Sequence, residues 1–196
     1  MSYEVEIKAR IDEQSINELK DKFCSLEGTE ILGEVRKNDI YFAVHATDHQ
    51  LFRVRTQSVG GVKDILITSK PIRSYEGTEI NKELEFHARP EELEIIKQFF
   101  TSLGYVVCLQ KEKNGWSCIV PVSGFNVIVE IFKVNDIGFF LEMEITSIQS
   151  AEEDSLISKA QIALHKLLGQ VGVSEKAIET TSYRQLILQS MDNESN

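Results

Sequence analysis

The chain has 196 residues, 42% hydrophobic and 27% charged, a size and balance that predict one globular domain, spanning residues 1–190. Its formal net charge of −10 argues against a nucleic-acid partner, because proteins that bind phosphate backbones carry a basic surface. No run approaches the about 20 apolar residues of a membrane span, and no signal peptide precedes the first strand, so we expect a cytoplasmic protein without a membrane partner.

The first predicted strand covers residues 3–10 and alternates charged with apolar side chains. A helix over 12–26, one or two strands over 31–43 and a polar turn over 47–50 follow. Strands over 51–56 and 64–70 flank a turn at Gly60-Gly61. The composition then predicts a polar loop over 74–82 and a strand over 82–87.

In the second half, Pro90 begins a predicted helix that runs to Leu103, and strands cover 110–122, 126–133 and 139–146. Ser150 and Glu153 form a capping-box pattern ahead of a third helix that ends near residue 168. A short segment over 183–188 closes the fold, and residues 191–196 form a polar, frayed tail.

The sequence contains an internal repeat. Residues 4–10 read Glu-Val-Glu-Ile-Lys-Ala-Arg and residues 83–89 read Glu-Leu-Glu-Phe-His-Ala-Arg, each ahead of a predicted helix and further strands. Lys37-Asn38 in the first half corresponds to Lys113-Asn114 in the second. Two similar halves with about eight strands predict a closed antiparallel β-barrel with helices packed outside it, because closure removes unpaired sheet edges.

Charged residues recur at every second position along the predicted strands. A single such pair is typical of a face in contact with solvent, where serine, threonine and glutamine would be equally suitable. Nearly all of these positions are fully charged, and seven strands share the pattern, which favours a barrel lumen lined with charge. The predicted lumen residues are Glu4, Glu6, Lys8, Arg53, Arg55, Lys70, Glu83, Glu85, Lys111, Lys113, Glu130, Glu142 and Glu144.

Burying so many charges is costly unless each has a partner of opposite sign or a bound ion. Carboxylate clusters suit hard, oxygen-seeking Mg²⁺ or Mn²⁺, whereas arginine and lysine clusters suit phosphate oxygens. A triphosphate accompanied by two such cations would supply both kinds of partner and leave the total charge of the lumen nearly unchanged. The lumen therefore predicts a polyphosphate ester bound with divalent metals.

The segment Glu4-Val5-Glu6-Ile7-Lys8 resembles the E-x-E-x-K signature of the CYTH domain, the domain of the triphosphate tunnel metalloenzymes. The similarity continues in order along nearly the whole chain, from about residue 2 to residue 188. Ser182-Tyr183-Arg184-Gln185-Leu186 resembles the C-terminal motif of class IV adenylate cyclases. The positions that carry the rest of the similarity are Arg53, Arg55, Lys70, Glu83, Glu85, Lys111, Lys113, Glu142 and Glu144.

The resemblance implies an eight-stranded antiparallel barrel with helices outside it. It assigns metal binding to Glu4, Glu6, Glu130, Glu142 and Glu144, and triphosphate binding to Lys8, Arg53, Arg55, Lys70, Lys111 and Lys113. Glu4, Glu6, Lys8 and Lys111 would take part in catalysis, with Glu83 and Glu85 as supporting lumen residues. Glu130 departs from the family pattern, which has the shorter aspartate, and Lys113 stands where the family often has arginine. Arg184 would reach the tunnel mouth or hold the C-terminal segment.

Two reactions fit such a site, and both are in-line phosphoryl transfers. In a class IV adenylate cyclase, ATP becomes cyclic AMP and pyrophosphate. In a triphosphatase, water attacks the terminal phosphorus of tripolyphosphate, thiamine triphosphate or a nucleoside triphosphate. The C-terminal motif and the chain length favour the cyclase. Similar proteins often form homodimers, which predicts a second copy of this chain as a partner.

Two other readings remain open at this level. A non-catalytic module could bind polyphosphate or nucleotide, although the seven carboxylates would then have no use without metal. A structural barrel could present the charges to water, in which case Arg53 and Arg55 would be exposed. His45, His49, His87 and His165 lack the spacing of metal ligands, although His87 corresponds to Lys8 in the repeat.

Overall fold

The computed structural model describes residues 2–46, 51–69, 72–75, 78–148 and 153–194. Within these residues the strands are β1 Ser2–Ile11, β2 Glu30–Ala43, β3 Phe52–Val59, β4 Val62–Ser69, β5 Ile72–Tyr75, β6 Thr78–Ala88, β7 Val106–Val122, β8 Phe125–Val134 and β9 Gly138–Ile148. The helices are α1 Ile16–Ser25, α2 Leu93–Ser102, α3 Glu153–Gln170 and α4 Tyr183–Glu194, and short 3-10 turns cover Glu13–Ser15, Pro90–Glu92 and Glu175–Ala177.

All strand pairs in the sheet are antiparallel, in the order β1-β9-β8-β7-β2-β3-β4-β6-β5. Strand β1 also pairs with β6 on its other side, where Glu6 lies opposite Glu79. The prediction of an antiparallel α+β fold with helices beside the sheet is therefore confirmed.

Both faces of β1 are buried, which is unusual for a strand that alternates charged with apolar residues. Val5 and Ile7 lie in an apolar cluster with residues of α1 and α3, where Phe23 and Leu164 are fully buried. Lys8, on the opposite face of the strand, is only 3% exposed. Because helices cover the apolar face, the charged face points to the other side of the sheet, into an interior space.

The internal repeat has a structural counterpart. In both halves a strand leads through a 3-10 turn into a ten-residue helix, α1 or α2, and then into a long strand, β2 or β7. Strands β2 and β7 pair with each other so that Lys37 lies directly opposite Lys113. The two lysines that the repeat relates are thus neighbours across the same strand pair.

The predicted loop over 74–82 is wrong, because β6 begins at Thr78 and pairs with β5, Tyr75 lying opposite Thr78. The segment is polar, but its backbone is paired with β5 and with β1, and such pairing is not visible in local composition. Helix α4 continues to Glu194, so residues 191–194 of the predicted tail are helical. The predicted turn over 47–50 and the capping residue Ser150 lie outside the described residues.

The remaining predicted elements agree with the structure to within a few residues. Residues 31–43 and 110–122 each belong to one strand rather than two, and α1 and α2 begin after their 3-10 turns. Gly60 and Gly61 form the predicted turn between β3 and β4 with positive φ angles of 55° and 87°. Among the described helices, none has both the length and the apolar character needed to cross a membrane.

Candidate active site

The charged faces of the strands converge on a cavity of about 310 Å³. Its volume lies at the lower end of the range of about 300–1,000 Å³ that is usual for small-molecule sites. Predicted site residues that line it are Glu4, Glu6, Lys8, Arg53, Arg55, Glu85, Lys111, Lys113, Glu130, Glu142, Glu144 and Arg184. The structure thus brings these predicted residues together around one cavity.

Most of these side chains are withdrawn from solvent. Arg53 is 8% exposed and the side chain of Arg55 is 11% exposed, so the reading in which the charges face water is wrong. Glu85 is the exception among them, because it is exposed and lies at the edge of the cavity, where it accepts a hydrogen bond of 2.8 Å from Thr68. Lys70 and the side chain of Glu83 lie outside what the structure describes.

Three carboxylates form a compact group, which we call the acidic cluster: Glu4, Glu6 and Glu144. One oxygen from each lies within 4.8 Å of the others. Glu4 and Glu6 stand on β1, and Glu144 lies directly opposite Glu6 on β9. Burial, reinforced by the charge of Glu4, raises the pKa of Glu144 to about 8. The third negative charge is therefore unfavourable in this arrangement, and a proton offsets it.

The acidic cluster has the donor chemistry of a divalent-metal site. Its ligands are carboxylate oxygens, which Mg²⁺ and Mn²⁺ prefer, and they come from adjacent strands rather than from a flexible loop. A bound cation would stabilise the ionised form of Glu144, which the carboxylates alone disfavour. The residues present thus fit the metal that the family resemblance implies.

A second group, the Asp39 cluster, consists of Asp39, Arg53, Arg55 and Lys111. The carboxylate of Asp39 is completely buried and accepts two hydrogen bonds from Arg55, at 2.6 Å from Nε and 3.0 Å from Nη2. Lys111 Nζ lies 3.1 Å from the same carboxylate and Arg53 Nη1 lies 3.8 Å from it.

In the Asp39 cluster, burial and the neighbouring charges act in opposite directions, and the charges prevail at Asp39 whereas burial prevails at Lys111. Although burial alone would raise the pKa of Asp39, the cations Arg55 and Lys111 hold that pKa well below its ordinary value. Burial lowers the pKa of Lys111 to about 8, even with Asp39 beside it. An additional anion near Lys111 would therefore raise the pKa of this lysine and strengthen its charge.

Two further ion pairs lie in the cavity wall. Lys37 Nζ is 2.6 Å from Glu130, and Lys113 Nζ is 2.6 Å from Glu142. Burial alone would raise the pKa of Glu142, but Lys113 holds it far below its ordinary value. Glu130 and Glu142 thus each have a lysine partner, and in the acidic cluster the charge of Glu4 adds to burial in raising the pKa of Glu144.

The C-terminal motif places an aromatic ring among the lysines of the cavity. The Tyr183 ring centroid lies 4.6 Å from Lys8 Nζ, 4.8 Å from Lys111 Nζ and 4.7 Å from Lys113 Nζ. Such cation–π contacts favour the charged ammonium groups. Lys8 Nζ also donates a hydrogen bond of 2.8 Å to the carbonyl oxygen of Thr181.

The same motif explains how the helix begins at this place. The Ser182 hydroxyl accepts from the backbone N–H of Gln185, and the Gln185 side chain accepts from the backbone N–H of Ser182, each at 3.3 Å. This is a capping box, which fixes the start of α4. It brings Tyr183 and Arg184 to the cavity wall.

Part of the cavity wall is apolar. Leu32, Val59 and Ile128 line it, and Ile128 lies directly opposite Glu144 of the acidic cluster. The buried hydroxyl of Ser117, which lines the same cavity, has no hydrogen-bond partner among the described residues. The site therefore offers an apolar surface and a hydroxyl group to an organic part of a ligand.

The sequence reasoning assigned no role to several residues of the site, which either line the cavity or, like Asp39, contact side chains that line it. Lys37 and Asp39 share one face of β2 with Tyr41, and that alternation was the available signal. Tyr183 stood within the C-terminal motif without an assigned role. Thr68, which accepts a hydrogen bond from Arg53 at 3.3 Å, carried no charge and so gave no signal.

Several solved structures share the fold of this chain over nearly its whole length. No protein-family model and no curated protein matches the sequence. A conserved hypothetical protein from Pyrococcus furiosus superposes with a TM-score of 0.70 at 23% identity, over 93% of this chain and 99% of the other. A proposed adenylate cyclase from Vibrio parahaemolyticus gives a TM-score of 0.70 at 17% identity, over 95% of this chain and 98% of the other.

A third structure is a proposed adenylyl cyclase from Hippeastrum, whose dominant activity is that of a triphosphatase. It gives a TM-score of 0.66 at 13% identity, over 97% of this chain and 96% of the other. The chain shares the fold of these proteins. The fold that the sequence resemblance implied, an antiparallel sheet with helices beside it, is thereby confirmed.

Proposed function

We propose that the chain is a metal-dependent enzyme that acts on a triphosphate within a β-barrel tunnel, and that it converts ATP to cyclic AMP and pyrophosphate. The observation that carries the proposal is that the acidic cluster and the three cations of the Asp39 cluster line one cavity. In a metal–triphosphate complex, carboxylates would bind the metal ion, and guanidinium and ammonium groups would bind the phosphate oxygens.

In this proposal the sheet closes on itself as an eight-stranded barrel, with β5 as an extra strand beside β6. The pairing of β1 with both β9 and β6 supports closure, because it leaves β1 with no free edge. Closure would also explain why the charged faces are buried, since the inner side of a small barrel is closed to bulk water.

Glu4, Glu6 and Glu144 would hold Mg²⁺ or Mn²⁺, with Glu130 and Glu142 able to contribute to a second ion. When bound, the metal would neutralise phosphate oxygens and withdraw charge from the reacting phosphorus. Glu130 is a weaker candidate than the acidic cluster, because Lys37 already neutralises it at 2.6 Å. The same argument applies to Glu142 and Lys113.

The cations would bind the phosphate chain and stabilise the charge that moves onto the leaving pyrophosphate. Arg55 uses two of its five N–H donors on Asp39, which leaves three for phosphate oxygens. The buried Nε of Arg53 has no hydrogen-bond partner among the described residues, so it can donate to a ligand. Lys8, Lys111, Lys113 and Arg184, which also line the cavity, would complete the binding surface. Lys70 is assigned to the triphosphate by the sequence resemblance alone.

In the cyclase reaction, the ribose 3′-oxygen forms a bond to the α-phosphorus and loses its proton, while the bond from that phosphorus to pyrophosphate breaks. The contribution of this chain would be to hold the two reacting groups in line and to exclude water from the cavity. Lys8 and Lys111 would act by charge, beside the carboxylates Glu4 and Glu6.

Three observations favour ATP over an inorganic substrate. The apolar wall formed by Leu32, Val59 and Ile128 suits a base or sugar and has no use for bare tripolyphosphate. The C-terminal motif Ser182–Leu186 resembles that of class IV cyclases. The Vibrio protein with the same fold is itself a proposed adenylate cyclase.

Triphosphate hydrolysis is the second candidate, and the structural neighbour from Hippeastrum favours it, because triphosphatase activity dominates in that protein. The charged groups would be used in the same way, with water attacking the terminal phosphorus. The two reactions differ in which phosphorus lies beside the acidic cluster.

A product assay separates the candidates. The purified protein is incubated with Mg²⁺ or Mn²⁺ and, in parallel, with ATP, thiamine triphosphate or tripolyphosphate. The proposal expects cyclic AMP and pyrophosphate from ATP. Orthophosphate without cyclic AMP would establish the triphosphatase, and binding without turnover, unchanged by EDTA, would establish a non-catalytic module.

Cytoplasmic location and a homodimer are further predictions from the sequence. Cell fractionation tests the first, and light scattering of the purified protein tests the second.

A further inference from the structure

The Asp39 cluster contains a buried carboxylate among three cations to which the proposed function assigns phosphate binding. Asp39 is completely buried, and its carboxylate is within 4 Å of three cationic side chains, Arg53, Arg55 and Lys111. By Coulomb's law alone, this charge weakens the attraction of the cavity for phosphate. An aspartate here therefore requires an explanation other than attraction.

The hydrogen-bond geometry supplies one. Arginine has a long, flexible side chain, and ordering it on a ligand costs free energy at the moment of binding. The two hydrogen bonds of Arg55 to Asp39 fix the plane of the guanidinium before any ligand arrives. Lys111, at 3.1 Å, is oriented by the same carboxylate.

The N–H groups that remain on Arg55 are consistent with Asp39 orienting this arginine toward a ligand. Asp39 occupies the Nε and Nη2 side of Arg55 and leaves the Nη1 group, together with a second N–H of Nη2, for another acceptor. Tyr41, on the same face of β2, donates a hydrogen bond of 3.3 Å to the same carboxylate. The carboxylate is thus held in place by its own strand as well as by the cations.

We propose that Asp39 is a positioning residue, which aligns Arg55, Arg53 and Lys111 into a single preformed phosphate-binding surface. It does not touch the reacting atoms and acts through the three cations. This inference rests on the proposed function, because it assigns the three cations to phosphate.

The test is Asp39→Asn, with tripolyphosphate as the probe and isothermal titration calorimetry as the readout. Loss of the negative charge makes the cavity more positive, so simple attraction predicts tighter binding. If the substitution instead leaves the three cations misaligned, tripolyphosphate should bind more weakly. We expect the dissociation constant to rise by at least about tenfold, the size expected when a charged hydrogen-bond network is broken.

Salt dependence distinguishes alignment from a change of charge. Asp39→Asn removes no basic side chain, although Lys111 loses the carboxylate that raises its pKa, so the comparison is made at pH 6, where this lysine is more fully protonated. Affinity should then decrease with salt at least as steeply as in the wild type, while being weaker at each salt concentration. Binding equal to or tighter than that of the wild type would overturn the inference. Asp136→Asn, in the exposed turn between β8 and β9, is the matched control and should bind tripolyphosphate normally.

A second variant covers the case in which Asp39→Asn does not fold. Asp39→Glu keeps the charge and displaces the carboxylate by one methylene. We expect its thermal midpoint to stay close to that of the wild type and its dissociation constant to rise at least about threefold. Wild-type affinity in a folded Asp39→Glu would contradict a positioning role.

The outcomes separate this inference from the proposed function. If the wild type neither binds nor turns over any triphosphate, the proposed function fails and the inference fails with it. If the wild type binds and Asp39→Asn binds as well or better, the inference alone fails. A fall in kcat/KM for ATP that is matched by the loss of tripolyphosphate affinity supports both.

Discussion

The two charged clusters of the cavity differ in how their charge is compensated. In the Asp39 cluster, one carboxylate lies among three cations, and its pKa is held well below the ordinary value although burial opposes this. In the acidic cluster, three carboxylates lie together, and burial with mutual repulsion raises the pKa of Glu144 to about 8. The cations of the first cluster keep its carboxylate ionised, whereas burial and neighbouring carboxylates leave Glu144 with a raised pKa, which an added cation would lower.

This difference explains how one cavity could bind the phosphate groups of a substrate at one cluster and a metal ion at the other. In the proposed function, the Asp39 cluster would need little rearrangement to accept phosphate. The acidic cluster would lose a proton when a cation binds, so that metal binding would be coupled to pH.

The largest effect is expected at the acidic cluster. Glu6→Gln removes a charged oxygen ligand and should lower metal-dependent turnover by more than about 100-fold, since even indirect supports of metal ligands contribute about 10- to 100-fold. Turnover is measured as a function of Mg²⁺ and Mn²⁺ concentration. Glu112→Gln, on the exposed outer face of β7, is the control and should be unaffected. Equal activity of the two variants would show that the acidic cluster takes no part in turnover.

Metal affinity should depend on pH because of Glu144. Its pKa of about 8 means that below pH 8 the metal displaces a proton, so affinity should rise by roughly tenfold per pH unit up to pH 8 and then level off. Calorimetry at pH 7 in buffers of different protonation enthalpy should report release of about one proton per cluster filled. Affinity that is constant between pH 6 and 8 would contradict this arrangement.

The same raised pKa has a consequence for the metal-free protein. Because the folded pKa of Glu144 lies above its ordinary value of 4.5, the folded state binds more protons than the unfolded state between the two values. The contribution of Glu144 to the free energy of unfolding should therefore fall as pH rises from about 4.5 to 8. Chemical denaturation of the wild type and Glu144→Gln measures it, and an identical pH dependence in both would be the contrary result.

A smaller effect is expected in the Asp39 cluster when charge is kept and geometry is lost. Arg55→Lys retains the positive charge but not the paired hydrogen bonds to Asp39, so kcat/KM should fall by about tenfold, mainly through KM. Arg36→Lys, on the outer face of β2 with a side chain 70% exposed, should behave like the wild type. A loss equal in the two variants would indicate a general effect of arginine replacement.

The smallest effect is expected at the pair Lys37–Glu130, which is already neutral as a pair. The double variant Lys37→Met with Glu130→Gln removes both charges together, so no buried charge is left without its partner. We expect the variant to fold and to retain turnover within about tenfold of the wild type. A loss as large as that of Glu6→Gln would place Glu130 among the essential metal ligands.

Much of this site could be predicted from the sequence because successive side chains of a strand point to opposite faces, so that alternating charges mark one face. The alternation of Glu4, Glu6 and Lys8 with buried Val5 and Ile7 separates the two faces of β1, and the same logic holds for β3, β7 and β9. The repeat predicted the order of strand, helix and strand in both halves. These are local properties, which a sequence pattern contains.

What the sequence did not reveal depends on contacts between distant segments. Asp39 lies beside Lys37 and Tyr41 on β2, and only the pairing of β2 with β3 and β7 shows that it joins Arg55 to Lys111. Likewise, Tyr183 reaches three lysines because α4 starts at the cavity. The first five residues of β6 read as a loop because their order comes from pairing with β1 and β5.

The central claim is that the two clusters hold the two ends of one metal–triphosphate complex. The most direct test is a crystal grown with Mn²⁺ and a non-hydrolysable ATP analogue, with anomalous scattering recorded to locate the manganese. We expect manganese between Glu4, Glu6 and Glu144, and phosphate oxygens within hydrogen-bond distance of Arg53, Arg55 and Lys111. Manganese bound elsewhere, or phosphates remote from the Asp39 cluster, would contradict it.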